Sequence, residues 1–93
     1  MREIERTNRF KRDYKREAKG QHGNTLDKNL VAVLRSLVAD IPLAERYRDH
    51  ALTGNWSGYR DCHIRPDLVL IYEKPDANTL RLIRLGSHSE LGF

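Results

Sequence analysis

The chain is 93 residues long, 39% hydrophobic and 32% charged, with a formal net charge of +4, which suits a single domain over residues 1–93 with one modest core. It has no run of the roughly 18 apolar residues a membrane span needs, its opening segment is too charged for a secretory signal, and the lone cysteine, Cys62, forbids an internal disulfide. The expected compartment is therefore the cytoplasm.

The excess charge is local. Residues 1–20 carry eight basic side chains against four acidic ones, whereas 21–57 balance four against four and 58–93 five against five. A basic stripe of this kind attracts phosphates or acidic protein surfaces over roughly 8–10 Å at physiological salt. It reads equally as a solvated helix face laced with pairs such as Arg9 and Asp13.

In chain order, Ile4 alternates with charged neighbours and predicts a short strand over 2–6 with one buried position. Thr7 or Asn8 then caps a helix with Phe10, Tyr14 and Ala18 on one face, stopping near Gly20. After a polar turn at 21–24, Leu26, Leu30, Val33, Leu34, Leu37, Val38 and Ile41 recur at helical spacing until Pro42 ends the run. Together these predict an antiparallel helical hairpin. Residues 43–58 lack periodicity and predict an extended loop, a place to look for function.

From Tyr59 the period becomes two, with Cys62 and Ile64 on one face and Tyr59, Asp61 and His63 on the other. Arg65-Pro66-Asp67 forms a turn, Leu68 to Tyr72 a second strand, 75–78 another turn, and Leu80 to Leu85 a third strand ending at Gly86. The predicted fold is α+β in the order β-α-α-β-β-β, the helical hairpin packed on a mainly antiparallel sheet.

If the three later strands form a meander, the end of the first, the start of the second and the end of the third share one sheet edge. His63, Asp67 and His88 then meet there, with Arg84 just upstream, and His50 lies on a loop long enough to join them. Histidines beside a carboxylate and an arginine suit acid–base chemistry on a phosphodiester, each positioned proton-transfer group contributing about 10²–10⁴ in rate. The arginine would meet charge on the phosphoryl oxygens. With RNA, the substrate's own 2′-hydroxyl is the nucleophile, and neither a metal nor a cysteine is required.

Plainer readings stand beside these. The histidines and Asp67 could ligate zinc, although no compact ligand motif is present. Cys62 shares the parity of Ile64 and reads as a buried, inert thiol; His22 reads as a solvated turn residue. Trp56 either plugs the core edge or stacks on a base. Asp67 is explained by turn chemistry alone, and Arg60 and Asp61 by pairing with their neighbours.

The pattern Leu52-x-Gly54-x-Trp56-x-Gly58-Tyr59-Arg60-Asp61-x-His63-x-x-Pro66-Asp67-x-x-Leu70-Ile71-Tyr72, preceded by His50 and followed by Arg84 and His88, resembles the YafQ branch of the RelE-type bacterial toxins. The likeness covers the second half of the chain, and the hairpin agrees in length and pattern. It implies a RelE-like fold and an mRNA endoribonuclease of a type II toxin–antitoxin pair, acting at the ribosome without metal or other cofactor. A cognate antitoxin of RelB or DinJ type is the implied protein partner, with operator DNA reached only through their complex.

By the same resemblance the site residues are His50, His63, Asp67, Arg84 and His88, with Phe93 binding substrate; Trp56 and Arg65 are further candidate substrate contacts. His88 would be the general acid, His50 with Asp67 the general base, His63 an orienting group and Arg84 the stabiliser of the transition state. The chain ends Leu91-Gly92-Phe93, displacing the terminal aromatic by one residue from its position in relatives. A catalytically inactive binding module acting through its antitoxin complex at DNA is the alternative reading. The net charge of +4 would grip free RNA weakly, in keeping with docking at the ribosome.

Overall fold

The computed structural model describes residues 1–92. Strand β1 (Glu3–Arg6) leads into helix α1 (Asn8–Ala18), and helix α2 (Leu26–Val38) completes the hairpin. Then follow β2 (His50–Ala51), β3 (Arg60–Arg65), β4 (Leu68–Glu73), β5 (Thr79–Gly86) and a short helix α3 (His88–Leu91). The sheet order is β1-β5-β4-β3-β2, with β1 parallel to β5 and every other pair antiparallel.

Local chemistry sets these boundaries. Thr7 caps α1, its hydroxyl accepting the Phe10 N–H at 3.2 Å while donating to the Leu82 carbonyl, so one side chain starts the helix and fixes it to β5. Helix α2 buries Leu26, Leu30, Val33 and Leu37 but stops at Val38, three residues short of the expected Ile41. Asp40 adopts φ +56°, its N–H reaches the Leu37 carbonyl and the Ile41 N–H the Ser36 carbonyl, a Schellman closure. Pro42 disfavours a helical Ile41, which is left 57% exposed.

Three further features depart from the sequence reading. Ile4, expected to be buried, stays 46% exposed because β1 is the outermost strand of the sheet. The segment 43–58 contains β2 and two short 3₁₀ turns, Glu45–Tyr47 and Gly54–Trp56, elements too brief to register as periodicity. The chain also continues past Gly86 into α3, whose start is a capping box: Ser87 Oγ accepts the Glu90 N–H at 3.1 Å and Glu90 Oε1 accepts the Ser87 N–H at 2.9 Å.

The sheet has two unlike faces. Phe10 and the buried face of α2 pack over Cys62, Ile64, Leu70, Leu80, Leu82 and Leu85. On the other face Val69, Ile71 and Leu91 form a smaller cluster with Leu52, Trp56, Tyr59 and Ile83 around it. Leu82 and Leu85 share the helix-side core although three residues apart, which the irregular β4–β5 register makes possible. Beyond Leu82, β1 no longer pairs with β5, and α1 takes its place: Asp13 Oδ2 accepts the Leu85 N–H at 2.9 Å and Arg16 Nη2 donates to the Leu85 carbonyl at 2.8 Å.

Candidate active site

At the end of β3 a groove of about 720 Å³ is lined by Asn29, the segment Arg46–Arg48, His63 to Pro66, and His88. Alternation along β3 sends Cys62 and Ile64 to the helix-side core and leaves Asp61 and His63 on the opposite face. His50 on β2 is the cross-strand partner of Asp61, so their side chains share that face.

His50 Nδ1 lies 2.7 Å from the Arg48 carbonyl and 3.1 Å from Asp61 Oδ1. Both neighbours only accept, so in the neutral ring the proton belongs on Nδ1 and the lone pair on Nε2. Arg48 holds its carbonyl there from a left-handed backbone conformation, φ +48°, strain of a kind that collects at functional sites. The N–H is aimed at that carbonyl, and Asp61 Oδ1 is left buried without a hydrogen bond. Burial raises the Asp61 pKa, against the pull of positive charge on His50, His63 and His88.

His88 is the first residue of α3, and its ring meets that of His63 edge to face, centroids 5.0 Å apart. Burial lowers the His63 pKa; charge on His88, Arg48 and His50 pushes the same way and Asp61 opposes. His63 is thus held neutral at neutral pH. The three imidazoles and one carboxylate make two contacting pairs, His50 with Asp61 and His63 with His88, arranged around the end of β3.

Two expected members are not in this group. Asp67 turns toward the helical hairpin, where Gln21 Nε2 donates to its Oδ2 and His22 Nε2 lies 2.9 Å from its Oδ1; the same contact corrects the reading of His22 as merely solvated. Arg84 pairs in register with Ile71 beyond the β4–β5 irregularity, but its guanidinium is held by Asp13 of α1, Nε to Oδ2 at 2.7 Å. Burial favours the protonated form of Asp13, but hydrogen bonds from Arg84 and the Leu85 N–H, with the charges of Arg84 and Arg16, outweigh it and lower the pKa.

Arg65 is exposed on the groove wall. Trp56 packs into the open-face cluster, edge-on to Tyr59 with centroids 5.8 Å apart. Phe93 lies outside the described residues. Cys62 is fully buried and its pKa is pushed far up by that burial, in line with an inert thiol.

Asp61, Arg46, Tyr47 and Arg48 are not among the site residues expected from the sequence. The signal for Asp61 was present, since alternation puts it on the face of His63. For Arg46 and Tyr47 nothing in the pattern pointed to the groove; the guanidinium lies 4.9 Å from the Tyr47 ring centroid, a cation–π contact. The assembly offers a proton acceptor at His50, a second imidazole pair 5.0 Å apart, and three groove arginines for an anionic chain.

A family model described as "Bacterial toxin of type II toxin-antitoxin system, YafQ" matches residues 2–92. The mRNA interferase toxin YafQ of Escherichia coli K12 is 38% identical over 90 residues, spanning 95% of this chain and 97% of that protein. Among solved structures, a copper-bound mutant toxin from Helicobacter pylori superposes with a TM-score of 0.85 at 35% identity, covering 98% of this chain and 99% of that one. YafQ in the Escherichia coli DinJ–YafQ complex does so at 0.78 and 34%, covering 98% of each chain.

Proposed function

This chain belongs to the YafQ toxin family of type II toxin–antitoxin systems, and from that membership and the histidine cluster we propose that it is a ribosome-dependent mRNA interferase. The observation that carries the chemistry is the pairing of His50 with Asp61 and of His63 with His88 beside one groove. His50 Nε2 takes the proton of the RNA 2′-hydroxyl as its oxygen attacks phosphorus, and Asp61 balances the imidazolium that forms. His88, protonated, delivers its proton to the 5′-oxygen as the P–O5′ bond breaks. The products are a 2′,3′-cyclic phosphate and a 5′-hydroxyl.

His63, held neutral, orients His88 and the substrate. Arg48 and Arg65 meet the phosphoryl charge, the part first given to Arg84, because Arg84 is occupied by Asp13. Asp67, the neighbour of the groove residue Pro66, is the second candidate carboxylate, and asparagine at each of the two aspartates assigns their roles.

A net charge of +4 gives weak purchase on free RNA; the ribosome supplies the positioning and the groove the chemistry, which places its work in the cytoplasm. Its protein partner is a cognate antitoxin, the counterpart of the DinJ seen with a relative, and operator DNA is reached through that complex. Primer extension on translated messages tests the reading: new 5′ ends should appear on induction and vanish with His88→Ala. Unchanged cleavage by that variant would overturn the assignment, and intact messages despite good expression of the native chain would overturn the activity.

A further inference from the structure

Helix α3 has four residues, too few to hold itself together by backbone bonds, yet its first residue is His88. What fixes it is found on α1. Glu90 divides its carboxylate: Oε1 accepts the Ser87 N–H in the cap, while Oε2 lies 3.0 Å from Arg16 Nε. Arg16 is itself anchored, with Nη2 on the Leu85 carbonyl at 2.8 Å, Nη1 on Asp13 at 3.1 Å and Nε also 3.0 Å from Glu17. The passage between β5 and α3 is built tightly around this pair, for a Cβ on Gly86 would come 2.8 Å from Arg16 Nη2 and 3.2 Å from Glu90 Oε1.

We infer that Arg16 and Glu90 are positioning residues that hold the His88 imidazole against His63, a role that rests on the nuclease reading of those histidines. The path runs from α1 through the ion pair to the Ser87 cap and so to the first residue of α3, and Leu91, buried in the open-face cluster, pins the far end. Loss of the ion pair leaves the cap and Leu91 in place but frees the short helix to rock, which separates the two rings.

The test uses Arg16→Ala and Glu90→Gln in the full-length protein. The glutamine keeps an acceptor for the Ser87 N–H and removes the charge facing Arg16. Two readouts are taken: the nuclear Overhauser contact between the His63 and His88 rings, and kcat and KM for cleavage of ribosome-bound message. The expected result is a weakened ring contact and a kcat lowered about 10–100-fold, as for a catalytic group displaced by about an ångström, with KM within about twofold of native. Native ring contacts and native kcat, or a change in KM alone, would overturn the proposal. Should Arg16→Ala fail to fold, Glu90→Gln decides by the same criteria. If the native protein cuts no message the nuclease reading falls, while the ring contact still decides whether the tether holds His88.

Discussion

Asp13 and Asp61 are both 4% exposed, on opposite faces of the same sheet, and their surroundings differ completely. Asp13, under α1, receives Arg84, Arg16 and the Leu85 N–H, and its pKa is lowered. Asp61, on the histidine face, has one oxygen with no hydrogen bond and a raised pKa. A buried carboxylate with its partners in place holds a fold together; one left short of partners spends stability, as groups poised for chemistry commonly do. On the proposed reading, the helix side of this molecule is its structural half, and the rim around His50, His63 and His88 its reactive one.

The sharpest way to break that division is to exchange the expected effects. His88→Ala should slow message cleavage about 10²–10⁴-fold, the loss of one proton-transfer group, and leave the urea midpoint close to native. Asp13→Ala should do the reverse, costing about 3–5 kcal/mol in urea unfolding because Arg84 is left without its counter-charge. A stable Asp13→Ala protein would refute the structural role of that network.

Asp61→Asn separates the two halves within one residue type. It should lower kcat about tenfold or more while stability holds or rises, since it removes a charge that burial opposes. Asp67→Asn should cost less in rate than Asp61→Asn; the opposite order would return the partnership with His50 to Asp67.

The smallest effect is the dependence of stability on pH. Asp13, with its pKa lowered on folding, stabilises above about pH 3.9 and loses that contribution as acid carries the pH down through its folded value. His63, also lowered, favours the fold above about pH 6.5, and its share is lost as pH falls below that because the unfolded chain takes up the proton first. Asp61, raised, opposes the fold near neutrality and is relieved as acid protonates it. Urea midpoints should thus fall steeply only in the most acidic range, and Asp13→Asn should flatten that limb; an unaltered limb would show that another carboxylate governs it.

Much of the architecture was legible because burial imposes periodicity: the hairpin's fourfold spacing and the alternation from Tyr59 onward both come from residues facing one core. The site was legible in part. Strand direction brings His63 and His88 together, but strand ends alone do not say which face a side chain takes. Arg84 is drawn away by its ion pair with Asp13, and because the β4–β5 irregularity breaks alternation between Leu82 and Leu85, its placement could not be read from parity. The Ser87-x-x-Glu90 box spells out the start of α3, although four residues show no period. Arg48 could not be found this way, because its role comes from a carbonyl and a left-handed backbone that any residue name conceals.

The free side of β5 is closed by more than a neighbouring strand. Past the end of β1, the outward N–H and carbonyl of Leu85 are already taken by Asp13 and Arg16, so that stretch of rim offers no template to a strand from another molecule. The part of the edge still bare belongs to β1, where Glu3, Glu5 and Arg6 stand as charged sentries. The helix thus serves as a guard against edge-to-edge aggregation as well as a wall of the core.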